Sequence, residues 1–350
     1  MKKKLQTLLC CFFIFVPVLS EDGNMSPCFS NGVYLNDSTE DTSKFAKASA
    51  LIFGHTLLSR AKNLLSKGRV YPSIDEKTHW IENNTIVVDK SEKPIVTWIG
   101  HATFLIQIGG VNILTDPVYG DLHKIMYQRI LPEGIPFEKL PKIDFVLISH
   151  NHRDHMDEKT LSRLKRNYNP TILVPEGNKT WFKESGFEKV FEYTWWKKHK
   201  VSFCGVEFTC LPARHWSVRN IRRNETLWCS WMISHNYRNI YFAGDTAYGK
   251  HFATIKNEFN RIDVSLLPVA PCKPRELLKD HHMDPIDAGR AFIDLGARHF
   301  FPMHWGTFGF GSDYFDDPII LLKKWSQANE IHLLGKTIHY AKVGQEIRLD

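Results

Sequence analysis

The 350-residue chain is 43% hydrophobic and 24% charged, which is the composition of a globular protein and not of a disordered or fibrous one. Its length suffices for a large hydrophobic core, in one large domain or two smaller ones. The formal net charge is +7, but the basic residues form no dense block of the kind that binds nucleic acid.

The first residues have the pattern of a secretory signal peptide. Lysines at positions 2 to 4 precede the apolar run Leu8–Val16, and Val18 and Ser20 occupy small-residue positions near a cleavage site. The apolar run is shorter than the ~20 residues of a membrane-spanning helix, which disfavours a retained anchor. We therefore expect residues 1–20 to be removed and the protein to be exported, to a bacterial periplasm or out of the cell.

The mature chain divides into an N-terminal extension and a larger folded domain. Residues 21–90 are polar and contain one helix-like segment, Phe45–Leu65, so we interpret them as an N-terminal extension. Short β-rich runs begin at Pro94, and we interpret residues 91–350 as one folded domain. The runs TFLIQI and VNILTD are joined by Gly109-Gly110, which predicts a two-residue β-hairpin.

Further apolar runs alternate with helical patterns. The runs predicted as strands are FVLISH, TILVP, VEFTCLPA, LWCSWMI, NIYFAGD, VSLLPVA and HFFPMHW. Helical patterns occupy Glu158–Arg166, Asn178–Ser185 and Pro285–Leu295, and Asp284-Pro285 offers the last of these an N-cap and a proline at its first position. Hairpins followed by alternating strands and helices predict sheets covered by helices on their outer faces.

The stretch LISHNHRDHMD, residues 147–157, concentrates histidines and aspartates directly after an apolar run. A short loop can turn His150 and His152 toward one point while Asp154 and His155 face a neighbouring one. Imidazole nitrogens with carboxylate oxygens suit zinc. A lone histidine is more often a core or surface residue, whereas this cluster predicts a metal site.

Three more residues of the types that bind metals lie later in the chain. His215 lies in LPARHWS, Asp245 in FAGDTAYG and His304 in FPMHWGT, and the last two follow predicted strands, where loops build active sites. With the four residues of the first cluster they make seven ligands. Seven ligands divide between two metal ions when one carboxylate bridges them.

The order of these motifs resembles that of the metallo-β-lactamase superfamily and, within it, most closely that of the N-acylphosphatidylethanolamine-hydrolysing phospholipases. The matching segments lie in residues 95–310 and are VTWIGHATFLI, ILTDPVYG, LPKIDFVLISHNHRDHMD, ARHWSVR, LWCSWMI, NIYFAGDTAYGKHF, HHMDPIDAG and HWGTF. The resemblance implies a four-layer αββα sandwich, an α+β fold with a two-metal site at one edge.

The resemblance also implies a role for each matching residue. The ligands of a first zinc would be His150, His152 and His215; those of a second zinc would be Asp154, His155 and His304; the bridging carboxylate would be Asp245. Catalytic roles fall to Asp154, Asp245 and His282, and substrate contacts to His281 and His282. His101 and Asp116 are either supports of the metal ligands or ordinary turn residues.

The implied activity is hydrolysis of N-acylphosphatidylethanolamine to N-acylethanolamine and phosphatidic acid. A phospholipid substrate implies peripheral contact with a membrane, for which Trp195-Trp196 and the following lysines are either an interfacial anchor or ordinary packing. Glu276-Leu277 departs from the aromatic pair of the family, which favours an alternative substrate such as a lactone or a soluble phosphodiester. A third hypothesis is a non-catalytic scaffold stabilised by metal or a secreted protein that binds a partner. The sequence gives no oligomeric state.

Overall fold

A computed structural model of the chain describes residues 25–36, 51, 54, 58, 72–123 and 127–349. The predicted signal peptide and most of the helix-like segment Phe45–Leu65 lie outside the described residues. None of the helices in the described part of the chain has the length and apolar character needed to cross a membrane.

Sixteen strands and seven α-helices occupy the described residues. The strands are β1 (Cys28–Ser30), β2 (Val33–Leu35), β3 (Ile95–Gly100), β4 (Thr103–Ile108), β5 (Val111–Thr115), β6 (Phe145–Leu147), β7 (Thr171–Pro175), β8 (Val190–Tyr193), β9 (Lys198–Lys200), β10 (Glu207–Leu211), β11 (Ser230–His235), β12 (Arg238–Phe242), β13 (Val264–Pro268), β14 (His299–Met303), β15 (Thr337–Ile338) and β16 (Glu346–Arg348). The helices are α1 (Ile74–Thr78), α2 (Glu158–Asn167), α3 (Lys179–Glu184), α4 (His251–Glu258), α5 (Arg275–Leu278), α6 (Pro285–Asp294) and α7 (Asp317–Ala328).

The strands form two seven-stranded sheets and a small hairpin of β1 and β2. The spatial order is β16-β3-β4-β5-β6-β7-β8 in one sheet and β15-β14-β13-β12-β11-β10-β9 in the other. In each sheet antiparallel pairs give way to parallel ones, at β5 in the first and β12 in the second. This is the predicted sequence of hairpins followed by strands that alternate with helices.

The central strands are covered on both faces, and every residue of β3, β4, β5 and β13 is buried. Successive side chains of a strand point to opposite faces. Phe104 and Ile106 of β4 belong to the core shared with the second sheet, whereas Leu105 belongs to a separate core with Leu161 and Leu164 of α2. α6 packs against the second sheet, where the ring of Phe292 lies 5.2 Å from that of Phe300 in β14. The result is the predicted four-layer αββα sandwich.

Local signals fix the ends of several elements. Gly109 and Gly110 have φ of 58° and 69°, the left-handed conformation that a tight hairpin requires, and they join β4 to β5 as predicted. Asp284 caps α6, since its side chain accepts a hydrogen bond from the backbone N–H of Asp287, and Pro285 occupies the first helical turn. Both of these local predictions are confirmed.

The part of the chain before residue 91 contacts the sandwich. Trp80 is buried, and its ring lies 4.8 Å from the ring of Trp305, centroid to centroid. The N–H of Tyr34 in β2 donates to the carbonyl of Asn224 at 2.8 Å. The described portion of the predicted extension is therefore packed on the sheets.

The Trp195-Trp196 pair packs against the protein. Trp195 is buried, and its indole N–H donates to the carbonyl of Trp228 at 2.8 Å. Trp196 is partly buried against the core, and its indole N–H donates to the carbonyl of Met25 at 2.7 Å. Of the two readings that the sequence leaves open for this pair, the contacts favour ordinary packing.

Candidate metal centre

The loops that carry the predicted ligands leave the sheets at a common edge. The His150–His155 loop follows β6, Asp245 follows β12, and His304 directly follows β14. β12 and β14 both run parallel to β13, so their carboxyl ends lie at the same edge of the second sheet. The loop after β6 meets them there, because Nε2 of His155 lies 3.2 Å from Oδ2 of Asp245. His215 follows β10, which brings a fourth loop to this edge.

The first group of ligand atoms is made of His150, His152, His215 and Asp245, whose candidate donor atoms all lie within 4.8 Å of one another. Nδ1 of His152 lies 2.8 Å from Nε2 of His150 and 3.3 Å from Nε2 of His215. Nε2 of His215 lies 3.7 Å from Oδ2 of Asp245. Three imidazole nitrogens and one carboxylate oxygen thus converge on a single point.

The second group adjoins the first and contains His101, Asp154, His155 and His304. Oδ2 of Asp245 lies 3.2 Å from Nε2 of His155 and 3.1 Å from Nε2 of His304. Oδ2 of Asp154 lies 3.3 Å from the same nitrogen of His155. Asp245 therefore contacts both groups and has the position expected of a bridging carboxylate. All seven predicted ligands are brought together.

The donor set fits divalent cations. Nε2 of His155, Nε2 of His304 and Oδ1 of Asp245 are buried and have no hydrogen-bond partner among the described residues. Buried polar atoms normally have one, and each unsatisfied atom is costly. Nitrogen and carboxylate atoms that crowd together without hydrogen-bond geometry are the arrangement that a shared cation stabilises. Imidazole with carboxylate suits zinc, and also iron or manganese.

The electrostatics of the centre agree with this fit. Burial lowers the pKa values of His150 and His215 well below the usual range, so both rings are neutral and able to bind a metal. Burial alone would raise the pKa of Asp245, but the charges of His155 and His304 hold it well below the usual range. Burial opposes the charged form of His304 as well, yet Asp245 and Asp154 raise its pKa to about 9. The buried carboxylates thus require positive charge beside them.

Asp116 supports the ligand loop. Its Oδ2 lies 2.7 Å from Nδ1 of His155 and accepts a hydrogen bond of 2.5 Å from the hydroxyl of Ser149. The same hydroxyl lies 2.8 Å from Nδ1 of His150. Asp116 and Ser149 therefore orient one imidazole of each group, the usual arrangement around metal-ligating histidines. Ser149 is not among the predicted residues, because its role depends on a residue 33 positions away.

His101 contacts a metal ligand and also forms part of the turn after β3. Its Nε2 lies 2.9 Å from Oδ2 of Asp154, and the ring is fully buried. Its φ is 54°, and its carbonyl accepts a hydrogen bond from the N–H of His304 at 3.1 Å. One residue thus joins the turn after β3 to two ligands of the second group, Asp154 and His304.

The segment with His281 and His282 lies beside the first ligand group. The carbonyl of His281 lies 2.8 Å from Nδ1 of His215 and orients that ring. Nδ1 of His282 lies 3.8 Å from Oδ2 of Asp245. Arg275 donates to the carbonyl of His282 at 2.7 Å and is ion-paired with Asp287, which anchors the segment to α6. Burial lowers the pKa of His282 to about 4, so its ring is neutral at neutral pH.

Three further contacts surround the ligands and are not foreseen from the sequence. The ring of Trp216 lies 4.3 Å from that of His152, and the ring of Phe310 lies 5.9 Å from that of His304. The side-chain amide of Asn36 donates to the carbonyl of His215 at 2.9 Å, across 179 positions of sequence. Trp216 adjoins a ligand in sequence, which is a usable signal; Asn36 offers none.

Comparisons with known proteins agree with this geometry. A family model described as a beta-lactamase superfamily domain matches residues 111–305. The chain is 34% identical over 250 residues to the N-acyl-phosphatidylethanolamine-hydrolyzing phospholipase D 1 of Caenorhabditis elegans, which covers 67% of this chain and 70% of that protein. It is 34% identical over 241 residues to the mitochondrial N-acyl-phosphatidylethanolamine-hydrolyzing phospholipase D of Saccharomyces cerevisiae, which covers 65% of this chain and 52% of that protein.

Among solved structures, a metallo hydrolase from the archaeon Ignicoccus hospitalis matches with a TM-score of 0.58 and 21% identity, covering 74% of this chain and 99% of that one. At this identity the match supports the fold alone. The family match spans every strand from β5 to β14 and all seven ligand positions. The chain belongs to the metallo-β-lactamase superfamily and is close to its N-acylphosphatidylethanolamine-hydrolysing phospholipases D.

Proposed function

We propose that the protein is a di-zinc phosphodiesterase that hydrolyses N-acylphosphatidylethanolamine to N-acylethanolamine and phosphatidic acid. The observation that carries the proposal is the position of Asp245, whose Oδ2 lies 3.1 Å from Nε2 of His304 and 3.7 Å from Nε2 of His215. A carboxylate shared by two groups of imidazoles supports a two-metal site. The relatives at 34% identity that carry the name of this reaction support the substrate class.

Zinc is proposed because the donors are imidazoles and carboxylates without a thiolate. Two zinc ions held by the two groups would supply Lewis-acid activation of water and would neutralise the charge of the phosphodiester. The ligands that would hold them are the seven residues described above, with Asp245 in contact with histidines of both groups.

Asp154 would orient the attacking water. Burial alone would raise the pKa of this carboxyl, but His155 and the hydrogen bond from His101 hold it well below the usual range. A carboxylate with so low a pKa accepts a hydrogen bond from water without keeping the proton. Its second contact, 2.9 Å to Nε2 of His101, fixes the direction of the carboxylate.

His282 would contact the phosphate. Its neutral ring has one N–H, and the ring lies 5.1 Å from that of His215 and 5.7 Å from that of His304, between the two groups. An N–H in this position can donate to a phosphate oxygen as negative charge builds up on it. Water would add to phosphorus, the bond from phosphorus to the ethanolamine oxygen would break, and a proton from the water would pass to that oxygen, so that the water oxygen remains in phosphatidic acid.

A second candidate is hydrolysis of a lactone or a soluble phosphodiester at the same centre. The surface of α5 favours it, because Glu276 is exposed and paired with Lys279 at 2.6 Å, shortly before the His281-His282 segment. Charged side chains make a poor wall for lipid tails. A lactone also needs no contact with phosphate.

Product analysis by mass spectrometry tests the proposal. Zinc-loaded protein is incubated with N-acylphosphatidylethanolamine in mixed micelles, with Asp245→Asn as the inactive control. Paired release of N-acylethanolamine and phosphatidic acid is the expected result. Hydrolysis of a chromogenic phosphodiester or a lactone without lipid products would overturn the lipid assignment and favour the second candidate. Metal-bound protein that cleaves none of the three would indicate a non-catalytic scaffold.

A further inference from the structure

A cationic cavity lies against the His150–His155 loop of the metal centre. Its volume is about 570 Å³, and five of the side chains that line it are basic: Arg153, Lys159, Arg163, Arg166 and Arg219. Arg153 lies between two metal ligands in the chain, and the three residues from α2 share one helical face, at spacings of four and three positions. Basic residues that are distant in the sequence thus meet beside the metal centre.

The acidic residues of the cavity wall are fewer, and two of them bind the backbone. Asp157 caps α2, since it accepts hydrogen bonds from the N–H and the hydroxyl of Thr160, at 2.9 and 2.6 Å. Asp121 accepts from the backbone N–H of Arg129 at 2.8 Å. Five basic side chains against three acidic ones give the cavity a net positive charge.

Lys159 and Arg166 are the basic residues that are free to bind an anion. Both are exposed, and neither makes a side-chain hydrogen bond or an ion pair with any residue that the structure describes. Arg163, between them on the same face of α2, donates to Glu138 at 2.6 Å and lies over the ring of Phe137. Two of the three cations of this face therefore have no acceptor within the described protein.

Arg219 connects the cavity to the metal centre. Its guanidinium donates to the carbonyl of Met156 at 2.7 Å, and its Cζ lies 4.4 Å from the centre of the Trp181 ring. A nitrogen of the same group lies 3.9 Å from the carboxylate of Glu158. Arg153 donates in turn to the carbonyl of Arg219 at 3.4 Å. The wall of the cavity is therefore continuous with the loop that carries four of the metal ligands.

An exposed apolar side chain lies two positions after Arg219. Ile221 is 100% exposed, and basic residues occupy positions 219, 222 and 223 around it. An isolated bridge between Val218 and Arg223 closes this loop, residues 218–223, so that Ile221 lies at its tip. An apolar side chain among basic ones suits the headgroup region of a bilayer that contains anionic lipid.

We propose that the cationic cavity and the 218–223 loop form a docking surface for an anionic bilayer, which holds the metal centre beside the lipid headgroups. Lys159 and Arg166 bind lipid phosphates, and Ile221 enters the layer between the headgroups and the acyl chains. A free phosphate would use the cavity alone and would leave Ile221 in water.

This inference rests on the proposed function and adds the surface on which the enzyme meets its substrate. N-acylation removes the positive charge of ethanolamine, so the headgroup of N-acylphosphatidylethanolamine is anionic. Phosphatidic acid is anionic as well. A bilayer that carries substrate or product therefore attracts a cationic surface.

Co-sedimentation with vesicles tests the docking surface without turnover. Zinc-loaded protein is mixed with vesicles of phosphatidylcholine alone or of phosphatidylcholine and phosphatidylglycerol in equal amounts, none of which carries an N-acyl group. The variants are Lys159→Gln/Arg166→Gln, which removes the two cations without an acceptor, and Ile221→Ser.

Each variant has a matched control. Arg290→Gln/Lys324→Gln removes one arginine and one lysine from exposed positions of α6 and α7, and Ile331→Ser removes another exposed isoleucine. All proteins are compared with the same N-terminus, so that any contribution of residues 1–20 is common to all.

We expect the wild type to bind the anionic vesicles about a hundredfold more tightly than the neutral ones. Lys159→Gln/Arg166→Gln should lose about 30-fold in affinity for the anionic vesicles, and Ile221→Ser at least about fivefold. The two controls should bind as the wild type does. Hydrolysis of a soluble chromogenic phosphodiester should be the same in all five proteins.

Equal affinity of the wild type for both kinds of vesicle, or unchanged binding in either variant, would overturn the docking surface. An equal loss in the control on α6 and α7 would also overturn it, because net charge alone would then account for binding. Binding to anionic vesicles without cleavage of N-acylphosphatidylethanolamine would support the surface and contradict the phospholipase reaction. Cleavage of this lipid in mixed micelles by a protein that does not prefer anionic vesicles would support the reaction and contradict the surface.

Discussion

Oδ2 of Asp245 lies 3.1 Å from Nε2 of His304. The same oxygen also faces Nε2 of His155, at 3.2 Å, and it lies at the boundary of the two ligand groups. Because Asp245 contacts both groups, its removal should affect two metal ions at once, whereas removal of a terminal ligand should affect mainly one.

If the centre holds the two proposed zinc ions, Asp245→Ala should therefore lose both. We expect zinc per chain, measured by inductively coupled plasma mass spectrometry, to fall well below that of His152→Ala, and hydrolysis to fall by at least about a thousandfold. The exposed Asp294→Asn is the control and should keep full metal content. Wild-type zinc content in Asp245→Ala would contradict the bridging position.

Asp116→Asn should weaken metal binding without removing a ligand. Asp116 contacts Nδ1 of His155 at 2.7 Å and accepts from the Ser149 hydroxyl. Loss of such a support typically lowers metal affinity by about 10- to 100-fold. Competition with a chromogenic chelator measures the affinity for zinc. An unchanged dissociation constant for zinc would show that Asp116 stabilises only the turn after β5.

His282→Ala should lower kcat while zinc content stays that of the wild type. His282 lies 3.8 Å from Asp245, beside the two groups, and we assign it to phosphate contact. A fall in kcat of roughly 100-fold is expected for the loss of a positioned hydrogen-bond donor. His299→Ala, in a histidine pair with His339, is the control. Loss of zinc in His282→Ala would instead make this residue a ligand.

Removal of the metals should make stability depend on pH in the alkaline range. Despite burial, the carboxylates of Asp245 and Asp154 raise the pKa of His304 to about 9, above its unfolded value of about 6.5. A raised pKa contributes stability that is complete below the unfolded value and is lost as pH rises through the folded value.

The melting temperature of chelator-treated protein should accordingly fall between pH 6.5 and 9, and that of zinc-loaded protein should fall less, because the cation replaces the proton. Differential scanning calorimetry of both forms at matched pH measures the effect. If the melting temperatures of the two forms changed with pH in parallel, the role of Asp245 and Asp154 in raising the pKa of His304 would be contradicted.

The sequence predicts those features that depend on residues close together in the chain. Gly109-Gly110 predicts its hairpin from backbone geometry alone, and Asp284-Pro285 predicts the start of α6 from capping. The HxHxDH cluster predicts a metal site because its residues cannot be buried together without a cation. These features are all local, so no tertiary contact is needed to recognise them.

The remaining features depend on contacts between distant parts of the chain. Ser149 acquires its role only because Asp116 lies beside it, and Asn36 reaches His215 across 179 residues. Trp195-Trp196 looks equally suited to a membrane surface or to a core, and only the carbonyls of Met25 and Trp228 decide between them. Sequence spacing carries no information on such pairs.

The fate of the water oxygen tests hydrolysis at phosphorus most directly. Zinc-loaded protein is incubated with N-acylphosphatidylethanolamine in water enriched in oxygen-18, and the masses of both products are measured by mass spectrometry. Attack on phosphorus predicts one heavy oxygen in phosphatidic acid and none in N-acylethanolamine. Heavy oxygen in N-acylethanolamine, or in a released fatty acid, would contradict hydrolysis at phosphorus by this metal centre.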